Sequence, residues 1–323
     1  MTRYRSLLYH GTQGPKPGTD VWRATMTASK VSATFVPSRS PYSSYFSLWH
    51  EMAGNLSGTP DNEVLQRGRI LEPAIAAWFQ EQHPAWNVRS PKGRWWVRED
   101  DTRMAATPDY IIEQGGDVLG LLECKSAQDM SGWGKPGSDE VPAHYADQCQ
   151  WQMYCTGERR VYVAVIHGLT FREYVLDYNA DRVAELVGSA RAFLSTLEKG
   201  DQPSVGSEAH LSTYTAVREL HPQIDDDTVE LTEDVATGYV KARVALKDAE
   251  RAELAAKTRV AEAMGTAKIA TFDGHPVAER RARGIEAKPF VQAVRKLPTH
   301  ILDTTDRTVH TINPNNQLTQ EAA

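Results

Sequence analysis

The stretch from Met104 to Lys125 leaves the chain the least freedom. Met104–Ile112 and Val118–Lys125 each read as a short strand, and Gln114-Gly-Gly-Asp117 between them supplies turn residues. That pattern predicts two antiparallel strands joined by a short turn. The first strand carries Thr107-Pro-Asp109 and the second ends on Glu123-Cys-Lys125. Successive side chains on a strand point to opposite faces, so Leu119, Leu121, Glu123 and Lys125 are expected on one face and Cys124 on the other. A hairpin partner can bring Asp109 beside them. Two carboxylates placed together on an apolar strand pair repel one another, and burial raises the cost further. A hard divalent cation with oxygen ligands relieves both problems, and Lys125 adds a positive charge able to orient a water for attack on phosphorus. A lone Glu-x-Lys is a common surface pair. The Pro-Asp, the strand–turn–strand context and the apolar Leu119–Leu122 run set this one apart.

The flanking pattern is mixed. A helix is expected to begin within Ala28–Phe35 and to stop at Pro37, with helices at Tyr45–Met52 and Asn62–Gln82. The last has an apolar stripe through Val64, Leu65, Ile70, Leu71, Ile75, Trp78 and Phe79. Arg94–Val97 reads as a strand, and Pro142 suits the first turn of a helix running to about Cys155. Val161–Ile166 and Phe171–Leu176 alternate as a hairpin, and Ala180–Leu197 is amphipathic. Helix, strands, helix, strands, helix predicts an α+β fold. All eight tryptophans lie between Trp22 and Trp151 and all three cysteines between Cys124 and Cys155. With Gly200 and Pro203 as punctuation, this places a domain over residues 1–205 and a leaner extension over 206–323. In that extension Glu233–Met264 reads as a long helix, Lys268–Phe272 and His275–Glu279 as a hairpin around Asp273-Gly274, and the chain after about Thr308 as a mobile polar tail.

Composition excludes several classes. No run of ~18 apolar residues is present for a membrane span, and the first residues lack the ~7–15-residue apolar core of a secretory signal. Three cysteines neither close a disulfide framework nor furnish four ligands for an iron–sulfur cluster. No Cys/His arrangement has a nucleophile context, and His83, His144 and His167 lack zinc spacing. The net charge of −6 argues against a general nucleic-acid coat, so any DNA contact must come from a local basic surface or a bound cation.

Four blocks, in this order, resemble the PD-(D/E)xK nuclease core, and within it the lambda-exonuclease-like branch, the YqaJ-like viral recombinase family. They are Met26-Thr-Ala-Ser29-Lys; Gln66-Arg-Gly-Arg-Ile-Leu-Glu72-Pro; Ala106-Thr-Pro-Asp109-Tyr with Leu121-Leu-Glu-Cys-Lys-Ser126; and Pro142-Ala-His-Tyr-Ala-Asp-Gln148-Cys-Gln150-Trp-Gln-Met-Tyr154. The resemblance covers roughly residues 20 to 200. It implies a restriction-endonuclease-like core, a central mixed sheet flanked by helices, with the helical C-terminal extension outside it. It further implies that Asp109, Glu123 and the carbonyl of Cys124 hold Mg²⁺, with Mn²⁺ able to substitute. Lys125 would contact the attacking water or scissile phosphate, Glu72 would assist a second metal or its water, and Gln148 would flank the site. Ser29 would help receive a terminal 5′-phosphate. Arg23 is the candidate for the arginine that accompanies it, although its spacing is about one residue short of the pattern.

The activity so implied is 5′→3′ degradation of linear duplex DNA to leave 3′ single strands. The implied partners are DNA ends, a single-strand annealing protein and further copies of the chain in a ring, with no membrane. The implied setting is the cytoplasm of a bacterial host, with a phage or prophage origin. An endonuclease on the same core and a non-catalytic DNA-end-binding protein are the alternatives; the first would cut a closed circle and the second would release no nucleotides. Arg89, Lys92, Arg94 and Arg98 around Trp95-Trp96 form a local basic and aromatic cluster. It could track the DNA backbone through Arg94 and stack a base on Trp95, or consist of core tryptophans with solvated arginines. Glu72, Gln148 and Ser29 likewise have plainer readings as an exposed or Arg69-paired acid, a polar helix row and a helix cap.

Overall fold

The computed structural model describes residues 9–16, 18–57, 62–206, 209–284, 286–295 and 297–302. In chain order its elements are β1 (Tyr9–Gln13), α1 (Asp20–Ala24), a 3-10 turn (Val31–Thr34), α2 (Tyr45–Met52), α3 (Glu63–Gln82), β2 (Asn87–Arg89), β3 (Arg94–Val97), β4 (Ala105–Ala106), β5 (Tyr110–Gln114) and β6 (Asp117–Ala127). There follow α4 (Ala143–Thr156), β7 (Arg160–His167), β8 (Thr170–Asp177), α5 (Ala180–Lys199), α6 (Leu211–Leu220), α7 (Glu233–Met264), β9 (Ile269–Phe272), β10 (His275–Arg281) and β11 (Phe290–Ala293).

Valine-rich β7 can be buried on both faces, and the central sheet is built around that property. Its strand order is β2-β5-β6-β7-β8. β6 and β7 pair in parallel while the other neighbours are antiparallel. A parallel pair needs a long crossover, and α4 supplies it. On one face α3 packs Ile75, Ala76 and Phe79 against Ile112, Leu122, Cys124, Tyr162 and Ala164. On the other, Cys149 and Met153 of α4 meet Ile111, Leu121, Val161 and Val163. Each large apolar side chain fully buried in this way contributes about 1.5–3 kcal/mol. The far side of α4, through Trp151 and Cys155, joins α2, α5 and the 3-10 turn in a further cluster with Trp49, Leu186 and Phe193. A polar tie crosses the same layer. The fully buried Asp147 accepts from Arg182 Nε at 2.8 Å and from Ser32 Oγ at 3.2 Å, linking α4 to α5 and the 3-10 turn. Burial pushes the Asp147 carboxyl up, and the Arg182 guanidinium opposes that push. The result is the expected α+β core, a mixed sheet flanked by helices. A second small sheet, β1-β3-β4, lies beside it in the chain's N-terminal part.

Several expectations need correction. The strand expected over Met104–Ile112 is two strands. Pro108 has no N–H to donate, and the break at Thr107-Pro-Asp109 sends β4 to β3 in the small sheet and β5 to β6 in the large one. Leu119 does not share a face with Leu121. A register shift between Ile112 and Glu113 inserts an extra residue on β6, so Leu119 packs on the α3 side and Leu121 on the α4 side. The expected helix at Ala28–Phe35 is only the 3-10 turn. Pro142 is the cap residue before α4 rather than its first turn. β1, α1, β2, β11 and α6 had no predicted counterpart.

The chain divides into two compact units, Met1–Ile224 and Asp225–Ala323. The boundary thus lies beyond residue 205, because α6 belongs to the first unit. Its Ala216, Val217 and Leu220 pack on Phe46 and Leu56, and the Ser44 N–H donates to Ser212 Oγ at 2.8 Å. In the second unit α7 has the predicted limits, capped at Thr232 and followed by Gly265. The hairpin is as expected: Asp273 and Gly274 both have positive φ, 49° and 74°, as a two-residue turn of this hand requires. β11 adds a third strand on β10, and Met264, Ala278 and Val291 form a small core. The polar tail after Thr308 lies outside the described residues. Among the described residues no helix is long and apolar enough to cross a membrane.

Gly120 lets β6 close on β7: a Cβ there would stand 2.6 Å from the Arg160 carbonyl oxygen. Gly120→Ala is therefore expected to destabilise the first unit by about 1–3 kcal/mol, read as a lower urea midpoint at unchanged slope.

Candidate active site

The break before β5 and the register of β5 on β6 create the site. Tyr110 pairs with Leu122, so the next residue back, Asp109, stands across from Glu123. The Asp109 carboxylate accepts from the Cys124 N–H at 2.8 Å. Glu123 is only 2% exposed, and it points to the α4 side. There Gln148 Nε2 donates to Glu123 Oε1 at 2.6 Å and Gln152 Nε2 donates to Oε2 at 2.6 Å. Lys125 Nζ completes the set, donating to Glu123 Oε1 at 2.5 Å and to Gln148 Oε1 at 3.2 Å. The Lys125 amine also lies 4.8 Å from the centroid of the Tyr145 ring, and the Tyr145 hydroxyl meets that of Tyr42 at 3.3 Å. A desolvated carboxylate is tolerable when its lone pairs are bonded this fully.

The electrostatics follow from that crowding. Burial first, and then the Glu123 and Glu72 carboxylates, hold the Asp109 carboxyl well above the usual range, with Lys125 opposing. Burial and Glu123 also raise Glu72. For Lys125, burial pulls the amine down, but Glu123 and Asp109 more than reverse it, so the amine holds its proton more tightly than a free lysine. His144 is pushed down to about 4 by burial and by Lys125, which keeps its ring neutral. All three cysteines are buried free thiols, and burial pushes each of them up, away from reactivity.

A cleft of about 430 Å³ opens beside this cluster, lined among others by Lys16, Trp22, Thr27, Ser29, Trp95 and Gln148. The Thr27 and Ser29 hydroxyls lie 3.2 Å apart within it. Thus Ser29, Trp95 and Gln148, far apart in sequence, share one cavity. Arg23 and Arg94 are not among its lining residues. Arg23 is turned onto the Gly18 carbonyl, with Nη2 at 2.6 Å, and Lys16 supplies the cation at the cleft. Arg94 is exposed on β3. Arg89 and Arg98 are engaged by Glu113 and Asp100, so two of the four cations around Trp95 are internally paired. Trp96 packs between two core clusters. Glu72 is half-buried and in the field of Glu123, but among the described residues no three His, Cys, Asp or Glu side chains gather as a metal-ligand group. The donor set that fits a hard cation is Asp109 and Glu123 with the neighbouring Cys124 carbonyl: oxygen only, and carrying negative charge that Lys125 only partly offsets.

Sequence reasoning put Gln152 and Tyr145 on the right helix face but gave them no role. The available signal was the i,i+4 amide pair Gln148/Gln152 on a helix otherwise committed to the core. Thr27 was flagged only as part of the Thr27-Ala-Ser29 block, and Trp22 and Lys16 gave no signal, because the cleft joins segments that only the tertiary fold brings together.

Residues 19–159 match the family model described as the YqaJ-like viral recombinase domain, a span that contains Ser29, Glu72, Asp109, Glu123, Lys125 and Gln148. That stretch is thus similar to a YqaJ-like viral recombinase domain over 141 of the 323 residues. Among solved structures, the alkaline exonuclease LHK-Exo from Laribacter hongkongensis is 21% identical, with 55% of this chain and 89% of that one covered at a TM-score of 0.44. Its complex with dAMP gives 22%, 56% and 91% at 0.45. A phage-related exonuclease from Haemophilus somnus 129PT is 10% identical, over 55% and 96%, at 0.38. No curated protein sequence matches the chain.

Gln152→Leu strips one donor from the buried Glu123 carboxylate. It is expected to cost about 1–3 kcal/mol in chemical denaturation, with Gln152→Glu costing more through like charge.

Proposed function

We propose that the chain is a metal-dependent deoxyribonuclease that degrades one strand of linear duplex DNA from a 5′ end, leaving a 3′ single strand for recombination by annealing. The observation that carries the reading is the convergence of Asp109, Glu123 and Lys125 at the junction of β5 and β6, with Gln148 shared between that cluster and the cleft holding Ser29. Asp109, Glu123 and the Cys124 carbonyl are the residues that would hold Mg²⁺ or Mn²⁺. Such an ion, when bound, supplies a Lewis acid for the phosphoryl oxygen and makes bound water more acidic. The protein's own part is positioning. Gln148 and Gln152 fix both oxygens of Glu123, and the Cys124 N–H fixes Asp109. Lys125 retains its proton in this field, so it acts as a fixed positive charge toward phosphate oxygen rather than as a base. Glu72 adds negative charge behind the site. Ser29 and Thr27 offer hydroxyls, and Lys16 a cation, to a terminal phosphate at the cleft.

A ring of several copies would reconcile the net charge of −6 with DNA binding, if basic residues line the channel and acidic ones face outward. The implied partner is a single-strand annealing protein, and the implied setting the cytoplasm of a bacterial host carrying a phage or prophage.

The test uses linear duplex with one end 5′-phosphorylated and one not, alongside a covalently closed circle. With Mg²⁺, mononucleotides are expected from the phosphorylated end, and the circle should stay intact; cutting of the circle would overturn the exonuclease mode. Lys125→Ala and Glu123→Ala are expected to lower nucleotide release by about 10²-fold or more while both variants remain folded by circular dichroism.

A further inference from the structure

Lys30 is a buried lysine without a carboxylate hydrogen-bond partner. It is 4% exposed, and its ammonium donates to three main-chain carbonyls: Trp22 at 2.7 Å, Arg23 at 3.1 Å and Thr25 at 2.9 Å. An ammonium has three N–H donors, so none is left over for a ligand. The carbonyls come from the last turn of α1 and its C-cap, the end of a helix where unpaired acceptors and negative partial charge collect. Nζ also lies 3.9 Å from the centroid of the Trp22 ring. Burial pulls this amine down to about 8, with Glu51 opposing, so the arrangement costs free energy that the fold tolerates. Trp22 in turn lines the cleft that holds Thr27, Ser29 and Trp95.

We infer that Lys30 is a positioning residue that seats the Trp22 indole as a wall of the cleft, where the ring stacks on the terminal base of a DNA end. This rests on the nuclease reading above and assigns to Trp22 and Lys30 the contact with the base, as distinct from the contact with its phosphate. A five-residue helix has little stability of its own. The ammonium gathers the carbonyls of the helix's last turn and C-cap and fixes the backbone that carries the ring. The ring's π-face then meets any base, a contact that is strong and indifferent to sequence. Thr27 and Ser29 lie at the same cavity, so a base against Trp22 and its 5′-phosphate at the hydroxyls can be held together.

The experiment compares two linear duplexes, both 5′-phosphorylated, whose terminal nucleotide carries a natural base or none. In the wild-type protein the abasic end is expected to raise KM about 5- to 150-fold, the range of one base stacked on an aromatic ring. Trp22→Ala should raise KM for the natural end to a similar extent and show no further penalty for the abasic one. Lys30→Met should raise KM for the natural end more than it lowers kcat and shrink the ratio of the two KM values. If Lys30→Met fails to fold, Lys30→Gln gives the same reading through the same ratio. A Trp22→Ala protein that discriminates between the ends as well as wild type, or a wild type that does not discriminate, overturns the stacking role. An undiminished ratio in the Lys30 variant overturns the role of Lys30. A wild-type protein that releases nucleotides from neither duplex instead sinks the nuclease reading itself.

Discussion

Glu123 is a carboxylate taken almost wholly out of water, and the first unit is arranged so that it can stay there. Three donors meet its two oxygens, from Lys125, Gln148 and Gln152. One lies on its own strand and two on α4, one helical turn apart. That is why the helix crossing between β6 and β7 carries amides where a purely structural helix would carry leucines. The register of β5 on β6 brings Asp109 into the field of Glu123 and leaves the cluster with more negative charge than its one lysine offsets. Removing any donor would strand a buried charge, whose cost exceeds that of an ordinary hydrogen bond.

Much of this was legible in the amino-acid sequence, and the reason is local. Asp109, Glu123 and Lys125 lie in a strand–turn–strand segment whose Pro-Asp, apolar Leu119–Leu122 run and Gly-Gly turn are self-contained signals. Gln148 followed from the four-block likeness. The limits of α7 and the Asp273-Gly274 turn were equally readable, because caps and turns are written within a few residues.

What was not legible depends on distant partners. The shift that sends Leu119 to the α3 side is an adjustment between two strands, invisible in the alternation of one. α6 was read into the second domain because a Gly/Pro break precedes it; the apolar contacts to Phe46 and Leu56 that return it to the first unit are more than 150 residues away in sequence. The cleft is the extreme case. Lys16 replaces Arg23 as its cation because Arg23 finds the Gly18 carbonyl, a choice set by the turn before α1 and not by spacing from Ser29. Trp95 and Trp96, adjacent in sequence, divide between cavity and core simply because they face opposite sides of β3.

The parallel pairing of β6 with β7 has a kinetic consequence. Parallel neighbours cannot zip from a turn, so the sheet's middle must wait for the whole α4 excursion to be made and docked before its ladder closes. During synthesis the hairpin β5–β6 can form as soon as it emerges, but Glu123 meets its amides only once the chain has grown past β7. Assembly of the cluster is thereby coupled to completion of the core: a nascent or truncated fragment ending before Arg160 holds every acidic side chain of the cluster but lacks β7, the strand beside which β6 is seated.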